Sequence, residues 1–218
     1  MKEFVIFDVD GTLVRGQSQK LFIDYLLKKR VISYFLYFKI YIWFALYRIG
    51  LVNNPKKIME SAYSFLVGRK YNWTEKMVDD FFNKILKKEF FKKSVEILNN
   101  HKKKGREVVL VSNLPDILLS SFARYLEVQK YFGTRLEVID GKFTGRILGD
   151  IMYGANKAYI VNRNILNGHS STYKIWIYAD HLSDLPLLEI ATFPFIVNPE
   201  KKLEKIAAKR NWGVLRFL

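Results

Sequence analysis

EFVIFDVDGTL, from Glu3 to Leu13, sets a short apolar, β-rich run against a turn that carries two carboxylates. The run from Glu3 to Val9 reads as a buried strand, with Asp10-Gly11 as the turn that follows it. One buried strand needs neighbours, and the chain repeats the pattern. REVVLVS (Arg106 to Ser112), KIWIYAD (Lys174 to Asp180) and FPFIVN (Phe193 to Asn198) are runs of the same kind, and GVLRF makes a fifth near the end. Helical stretches lie between them. In the last of these, Asn198 reads as an N-cap and Pro199 as the first helical residue, with EKKLEKIAAKR running on towards Gly213. Strands alternating with helices predict the α/β class, a doubly wound parallel sheet covered on both faces.

Two segments interrupt the alternation. Residues 15–93 hold no convincing strand and read as an all-helical insertion, with helices opening near Ser18 and Pro55 and a third capped by Thr74. The expected division is therefore a core of residues 1–14 and 94–218 and a helical unit of residues 15–93. The second interruption is RLEVIDGKFTGRI (Arg135 to Ile147), where alternating apolar residues flank Asp140-Gly141, a strong hairpin signal.

Inside the insertion lies VISYFLYFKIYIWFALY, from Val31 to Tyr47, seventeen residues with eight aromatics and a single charge, Lys39. Extended to Val52 it reaches roughly the length of a membrane span, but a lysine at its middle costs roughly 2.5–3.5 kcal/mol on insertion scales. A helix apolar all round is buried in protein or in lipid. The run therefore reads as the interior of the insertion, as a contact with a second copy, or as a surface that meets lipid. Lys28, Lys29 and Arg30 precede it, Arg48 ends it, and Lys56 and Lys57 follow, the composition of a peripheral anchor on an anionic membrane.

The 218 residues carry a formal charge of +15, which favours anionic partners. Basic residues are spread along the chain without a recognisable nucleic-acid module, so nucleic acid is not an expected partner. No cysteine is present, which removes disulfides and thiolate metal sites and fits a reducing cytoplasmic compartment. The first residues are no signal peptide, since Asp8 and Asp10 break a short apolar run. His101 and His169 sit in lysine- or serine-rich loops and read as surface residues.

Chemistry concentrates at strand ends. Asp8 and Asp10 follow the first strand, Ser112 closes the second, and Asp180 and Asp184 follow the third. Open parallel sheets bind ligands outside the carboxyl ends of their strands. Four carboxylates gathered there resist ionisation, and a hard divalent cation with oxygen ligands, Mg²⁺, resolves the conflict. Lys157, at the start of a helix before the third strand, reaches the same edge. Taken singly, each signal has an ordinary reading: a turn for Asp10-Gly11, a strand-end hydroxyl for Ser112, a solvated lysine for Lys157, a helix cap for Asp184.

Taken in order, DVDGTL, the strand-end serine, the isolated lysine and the D-x-x-x-D pair of Asp180 and Asp184 resemble the haloacid dehalogenase superfamily of phosphohydrolases. The likeness covers nearly the whole chain. The helical insertion looks like that superfamily's C1-type cap on a Rossmann-like core. The hairpin and the C-terminal tail look like its phosphoserine-phosphatase-like branch, subfamily IB, near uncharacterised IB hydrolases and phosphatidylglycerophosphate phosphatases. The resemblance implies a Mg²⁺-dependent phosphomonoester hydrolase. Asp8 is then the nucleophile that forms an aspartyl-phosphate, and Asp10 the general acid and base. Asp8, the Asp10 carbonyl and Asp180 hold the metal, with Asp184 behind them. Ser112, Asn113, Lys157 and Gly11 bind phosphate. The sequence departs from the pattern at Ala179, His181, Asn113 and Leu114, none of which removes a charged catalytic group; His181 reads as solvent-facing. Phosphoserine enzymes carry a glutamate where Gln17 stands and an arginine near Ala62, so the pairing groups for an amino-acid substrate are missing. A small-metabolite phosphate or a phospholipid headgroup, met at the cytoplasmic membrane face, is the expected substrate. An amino-acid phosphatase, or a basic membrane- or nucleic-acid-binding protein without catalysis, are the alternatives.

Overall fold

The computed structural model describes residues 2–48, 54–166 and 173–217. Eight strands form: β1 (Glu3–Phe7), β2 (Glu107–Pro115), β3 (Lys130–Thr134), β4 (Leu136–Ile139), β5 (Lys142–Ile147), β6 (Lys174–Ala179), β7 (Phe193–Val197) and β8 (Gly213–Leu215). Six of them make one parallel sheet in the order β3-β2-β1-β6-β7-β8. β1 is central, and its Val5, Ile6 and Phe7 are fully buried, which is why the run carries no polar alternation. The chain leaves β1 to build one half of the sheet, then crosses back to build the other from β6. That reversal opens a crevice at the carboxyl ends of β1, β2 and β6.

Nine α-helices surround the sheet among the described residues: α1 (Ser18–Lys28), α2 (Tyr34–Arg48), α3 (Pro55–Ala62), α4 (Tyr71–Lys84), α5 (Lys92–Lys103), α6 (Asp116–Tyr125), α7 (Ala155–Val161), α8 (Leu185–Glu189) and α9 (Lys201–Arg210). The first four lie between β1 and β2, in the expected insertion. Its two ends are stitched together beside the sheet: the Arg15 amide donates to the Glu89 carbonyl and the Phe91 amide to the Leu13 carbonyl, both at 2.9 Å. The β4–β5 hairpin forms as its Asp140-Gly141 turn predicts and meets the insertion, with Phe143 N–H donating to Arg69 O at 3.0 Å.

Four local readings change. α4 starts at Tyr71 with Lys70 at its N-cap, so Thr74 lies one turn inside. The reason is the buried stripe Thr74, Met77, Val78, Phe81 and Phe82, which needs the preceding turn to set its phase. α9 starts at Lys201 behind Glu200. Asn198 instead adopts a left-handed φ of 43°. Its side chain donates to Gly11 O at 3.4 Å and accepts from Phe217 N at 2.7 Å, tying the end of β7 to the first loop. β3 was not anticipated, because KYFGT is a short edge strand with an exposed charge and a glycine where a buried strand would show apolar residues. His101 is buried: Arg106 donates to its Nδ1 at 2.9 Å, so its Nε2–H donates to the Tyr178 hydroxyl, also at 2.9 Å. The lysines around it belong to the outer face of α5. His169 and the stretch up to Val52 lie outside the described residues.

The aromatic run divides in two. Ile40 of α2 is buried, and the Tyr37 and Tyr41 hydroxyls both donate to Asp24 Oδ1, at 2.9 and 3.0 Å. The opposite face is open to solvent, and Lys39 is exposed. The run is therefore interior on one side only. No helix among the described residues is long and apolar enough to cross a membrane.

Candidate active site

β1 delivers Asp8 to the crevice. Strand pairing continues one residue beyond β1, with Asp8 N–H donating to the Tyr178 carbonyl at 2.9 Å. The chain then turns tightly, and the Val9 carbonyl accepts from the amides of Thr12, Leu13 and Val14 at 3.2, 2.8 and 3.1 Å. Gly11 makes the turn possible twice over. Its φ is +73°, and a Cβ there would stand 2.0 Å from Asp180 Oδ2. Gly11→Ala should therefore push the first loop away from Asp180, with at least a hundredfold loss of turnover and a lowered Tm by scanning calorimetry. Wild-type activity in that variant would show that the close approach has no catalytic use.

β6 brings Asp180, and the short helical turn after it brings Asp184. Asp8, Asp180 and Asp184 each offer a carboxylate oxygen, and these oxygens lie within 4.8 Å of one another. Lys157, on the first turn of α7, is buried between two of them: its Nζ is 3.1 Å from Asp8 Oδ1 and 2.9 Å from Asp184 Oδ1. Asp184 does not cap α8 with its side chain. Its Oδ1 is buried with no directed hydrogen bond, so the contact with Lys157 is an ion pair that leaves a lone pair unused. An all-oxygen donor set, crowded and under-satisfied, fits a hard divalent cation.

The charges report the same crowding. Burial first, then the charges of Asp8 and Asp184, push the Asp180 carboxyl up to about 8. Burial raises Asp184 to about 6, against the pull of Lys157. Burial alone would lower the Lys157 ammonium; Asp8 and Asp184 outweigh it and hold the ammonium above its ordinary value. These carboxyls have folded pKa values above their unfolded ones. The stability they contribute is full below about pH 4 and is lost as pH rises through about 6 to 8. Metal-free protein should thus lose Tm between about pH 4 and 8 more steeply than its Asp180→Asn variant, and excess Mg²⁺ should flatten the difference. Parallel curves for both proteins would contradict the shared burial of these groups.

Asp10 points the other way, into the insertion. Its Oδ1 accepts from the Ser18 amide at 2.9 Å and from the Ser18 hydroxyl at 2.5 Å, so the first residue of α1 holds it. Burial raises Asp10 to about 7, opposed by those two bonds. Sequence reading found Ser18 as a helix start and missed this bond. It also missed Thr12, whose hydroxyl lies 3.5 Å from Asp180 Oδ1, and Tyr63, a buried insertion tyrosine whose raised pKa comes from burial and from Asp10. The signals were present in Thr12, next to the acidic pair, and in Ser18, eight residues past Asp10; Tyr63 has none.

The remaining expected residues are close by but differently engaged. Ser112 does not close its strand, since β2 continues to Pro115; it is buried within the strand, where its Oγ accepts from Leu114 N at 3.4 Å. The Asn113 carbonyl accepts from Gln19 Nε2 at 3.4 Å and from Thr134 Oγ1 at 3.2 Å. The Gly11 amide donates to Val14 O at 2.9 Å, so it is already committed within the turn. Gln17 is exposed at the N-cap of α1 and makes no cap bond. His181 is exposed and, among the described residues, bonds its neighbour Ser183, at 2.8 Å.

Residues 5–189 match the family model of the haloacid dehalogenase-like hydrolases. The chain belongs to that family. Among similar proteins is phosphoserine phosphatase SerB1 of Mycobacterium tuberculosis (strain H37Rv), 28% identical over 97% of this chain and 70% of its own length. A histidinol-phosphatase of Neisseria meningitidis serogroup C is 24% identical over the full length of both chains. A crystal structure of a protein of unknown function from Bordetella pertussis Tohama I has a TM-score of 0.90 at 23% identity, over 99% of each chain, and shares the fold. Family and relatives together make this chain an enzyme of phosphatase type.

Proposed function

We propose that the protein is a Mg²⁺-dependent phosphomonoester hydrolase that works through an aspartyl-phosphate on Asp8. The observation that carries this is the buried Asp8–Lys157–Asp184 ion-pair chain with Asp180 beside it. Asp8 is then the nucleophile, and transfer to its carboxylate splits one displacement into two. Asp10, held by Ser18 and pushed towards neutral pH, suits a group that gives a proton to the leaving alcohol and later takes one from water. Lys157 and the Ser112 hydroxyl, with the Asn113 amide, bind the phosphoryl oxygens; Gly11 serves as a spacer, its amide being spent on Val14. Asp8, the Asp10 carbonyl and Asp180 would hold Mg²⁺, with Asp184 orienting that set. Bound there, the ion supplies neutralisation of the phosphoryl charge.

In this reading residues 15–93 are a cap over a core of residues 1–14 and 94–218, and the cap selects the substrate. Gln17 and the region of Ala62 lack the charges that would pair with an amino acid's ammonium and carboxylate, which argues for another phosphate monoester. A small metabolite or a phospholipid headgroup, reached at the cytoplasmic membrane face, is the proposed class. Hydrolysis of p-nitrophenyl phosphate should require Mg²⁺, stop with chelator and return with excess ion. A panel of phosphorylated metabolites and lysophospholipid phosphates should then give one class with the highest kcat/KM. No turnover of any monoester with Mg²⁺ present would refute the proposal.

A further inference from the structure

The outward face of α2 has no role in the chemistry above. Tyr34, Phe35, Phe38 and Ile42 are 72, 79, 59 and 57% exposed. At 100° per residue they occupy one arc of roughly 100° along the helix, with Lys39 at its margin. The helix is not loose: the Tyr37 and Tyr41 bonds to Asp24 and the buried Ile40 fix the other side. Four large apolar side chains are thus held out to water by a well-anchored scaffold.

The sequence along and beside the helix is of one sign, although Asp24 is bonded on its inner side and Asp80 pairs with Lys29 at 3.3 Å. From Tyr25 to Met59 the chain has no Asp or Glu, and it has seven basic residues: Lys28, Lys29, Arg30, Lys39, Arg48, Lys56 and Lys57. Lys28, Arg30 and Lys39 are exposed and have no carboxylate within ion-pair distance among the described residues. The basic groups lie before the helix, on its margin and after it. A helix lying flat on a bilayer presents its sides and both ends to headgroups, and this distribution matches that contact.

We propose that α2 docks the enzyme onto an anionic phospholipid bilayer, with Phe35, Phe38, Tyr34 and Ile42 entering the headgroup boundary and Lys28, Arg30 and Lys39 facing lipid phosphates. A second copy of the chain fits this face less well. A two-fold contact through this face would set the like charges of Lys28, Arg30 and Lys39 against each other. The proposal deepens the functional reading by naming its membrane surface, and it stands whatever phosphate monoester is cleaved.

Flotation with vesicles of phosphatidylglycerol and phosphatidylcholine should carry the full chain upward, with at least tenfold weaker binding to pure phosphatidylcholine and weaker binding at high salt. Phe35→Ser with Phe38→Ser should reduce binding at least tenfold, and Lys39→Glu should reduce it less. Both variants should keep wild-type turnover of p-nitrophenyl phosphate in solution, which separates loss of docking from loss of fold. Turnover absent in the wild type would strike the phosphatase reading and leave the docking result standing. Wild-type protein that does not float, double-variant protein that floats as well as wild type, or a concentration-dependent dimer that the double variant dissolves, would each overturn the proposal.

Discussion

Asp8→Asn should abolish turnover, by roughly 10⁴-fold or more. The amide matches the carboxylate in size but cannot attack phosphorus, and no other described carboxylate stands where it could replace it. Asp180 and Asp184 are its neighbours, yet both are tied to the same cluster. The variant should still fold. It removes one of three crowded acids, and Lys157 keeps Asp184 at 2.9 Å as a partner. Unchanged far-ultraviolet circular dichroism with lost p-nitrophenyl phosphate hydrolysis is the expected pair of results. Activity within tenfold of wild type would remove Asp8 from the chemistry.

Lys157→Met should destabilise the protein by about 3–5 kcal/mol at neutral to alkaline pH, the usual penalty for leaving buried charge without its partner. Its side chain is 4% exposed and the carboxylates it joins are 8 and 1% exposed, so solvent does not relieve the loss. The urea midpoint should fall accordingly, and it should recover in part with Mg²⁺, which replaces the missing positive charge. Activity should stay down by at least a hundredfold even when stability is restored, because on the proposed mechanism the ion would not take over the phosphate contact assigned to Lys157. Restoration of both together would mean that Lys157 serves only the fold.

Much of this was legible in the sequence because the deciding elements are local. Glu3 to Val9, Lys174 to Asp180 and Phe193 to Asn198 are continuous apolar runs, the pattern of strands buried on both faces, and they fixed the sheet. The site followed, since its acids lie within a few residues of strand ends. What escaped depends on partners distant in the chain. β3 is an edge strand whose place comes from pairing with β2, not from its own residues. His101 reads as solvated among lysines, and the approach of Trp176 and Tyr178, more than 70 residues away, makes it interior. Asn198 was misread as a cap because its side chain is claimed by Gly11 and Phe217. The aromatic run is the most instructive case. Composition left open an interior helix, a contact with a second copy and a lipid-facing surface, whereas Asp24 anchors one face through two tyrosines and leaves the other outside. An unpatterned apolar helix gives no phase from which that division could be read.

The central claim is that phosphate passes through the side chain of Asp8. Enzyme mixed with Mg²⁺ and a phosphomonoester can be quenched in acid during the first turnover, before the intermediate is hydrolysed, then reduced with borohydride and mapped by mass spectrometry. An acyl phosphate on Asp8 is reduced to homoserine at that position, and this is the predicted product, absent without substrate. Rapid turnover with Asp8 intact, and the modified residue elsewhere or nowhere, would contradict the mechanism.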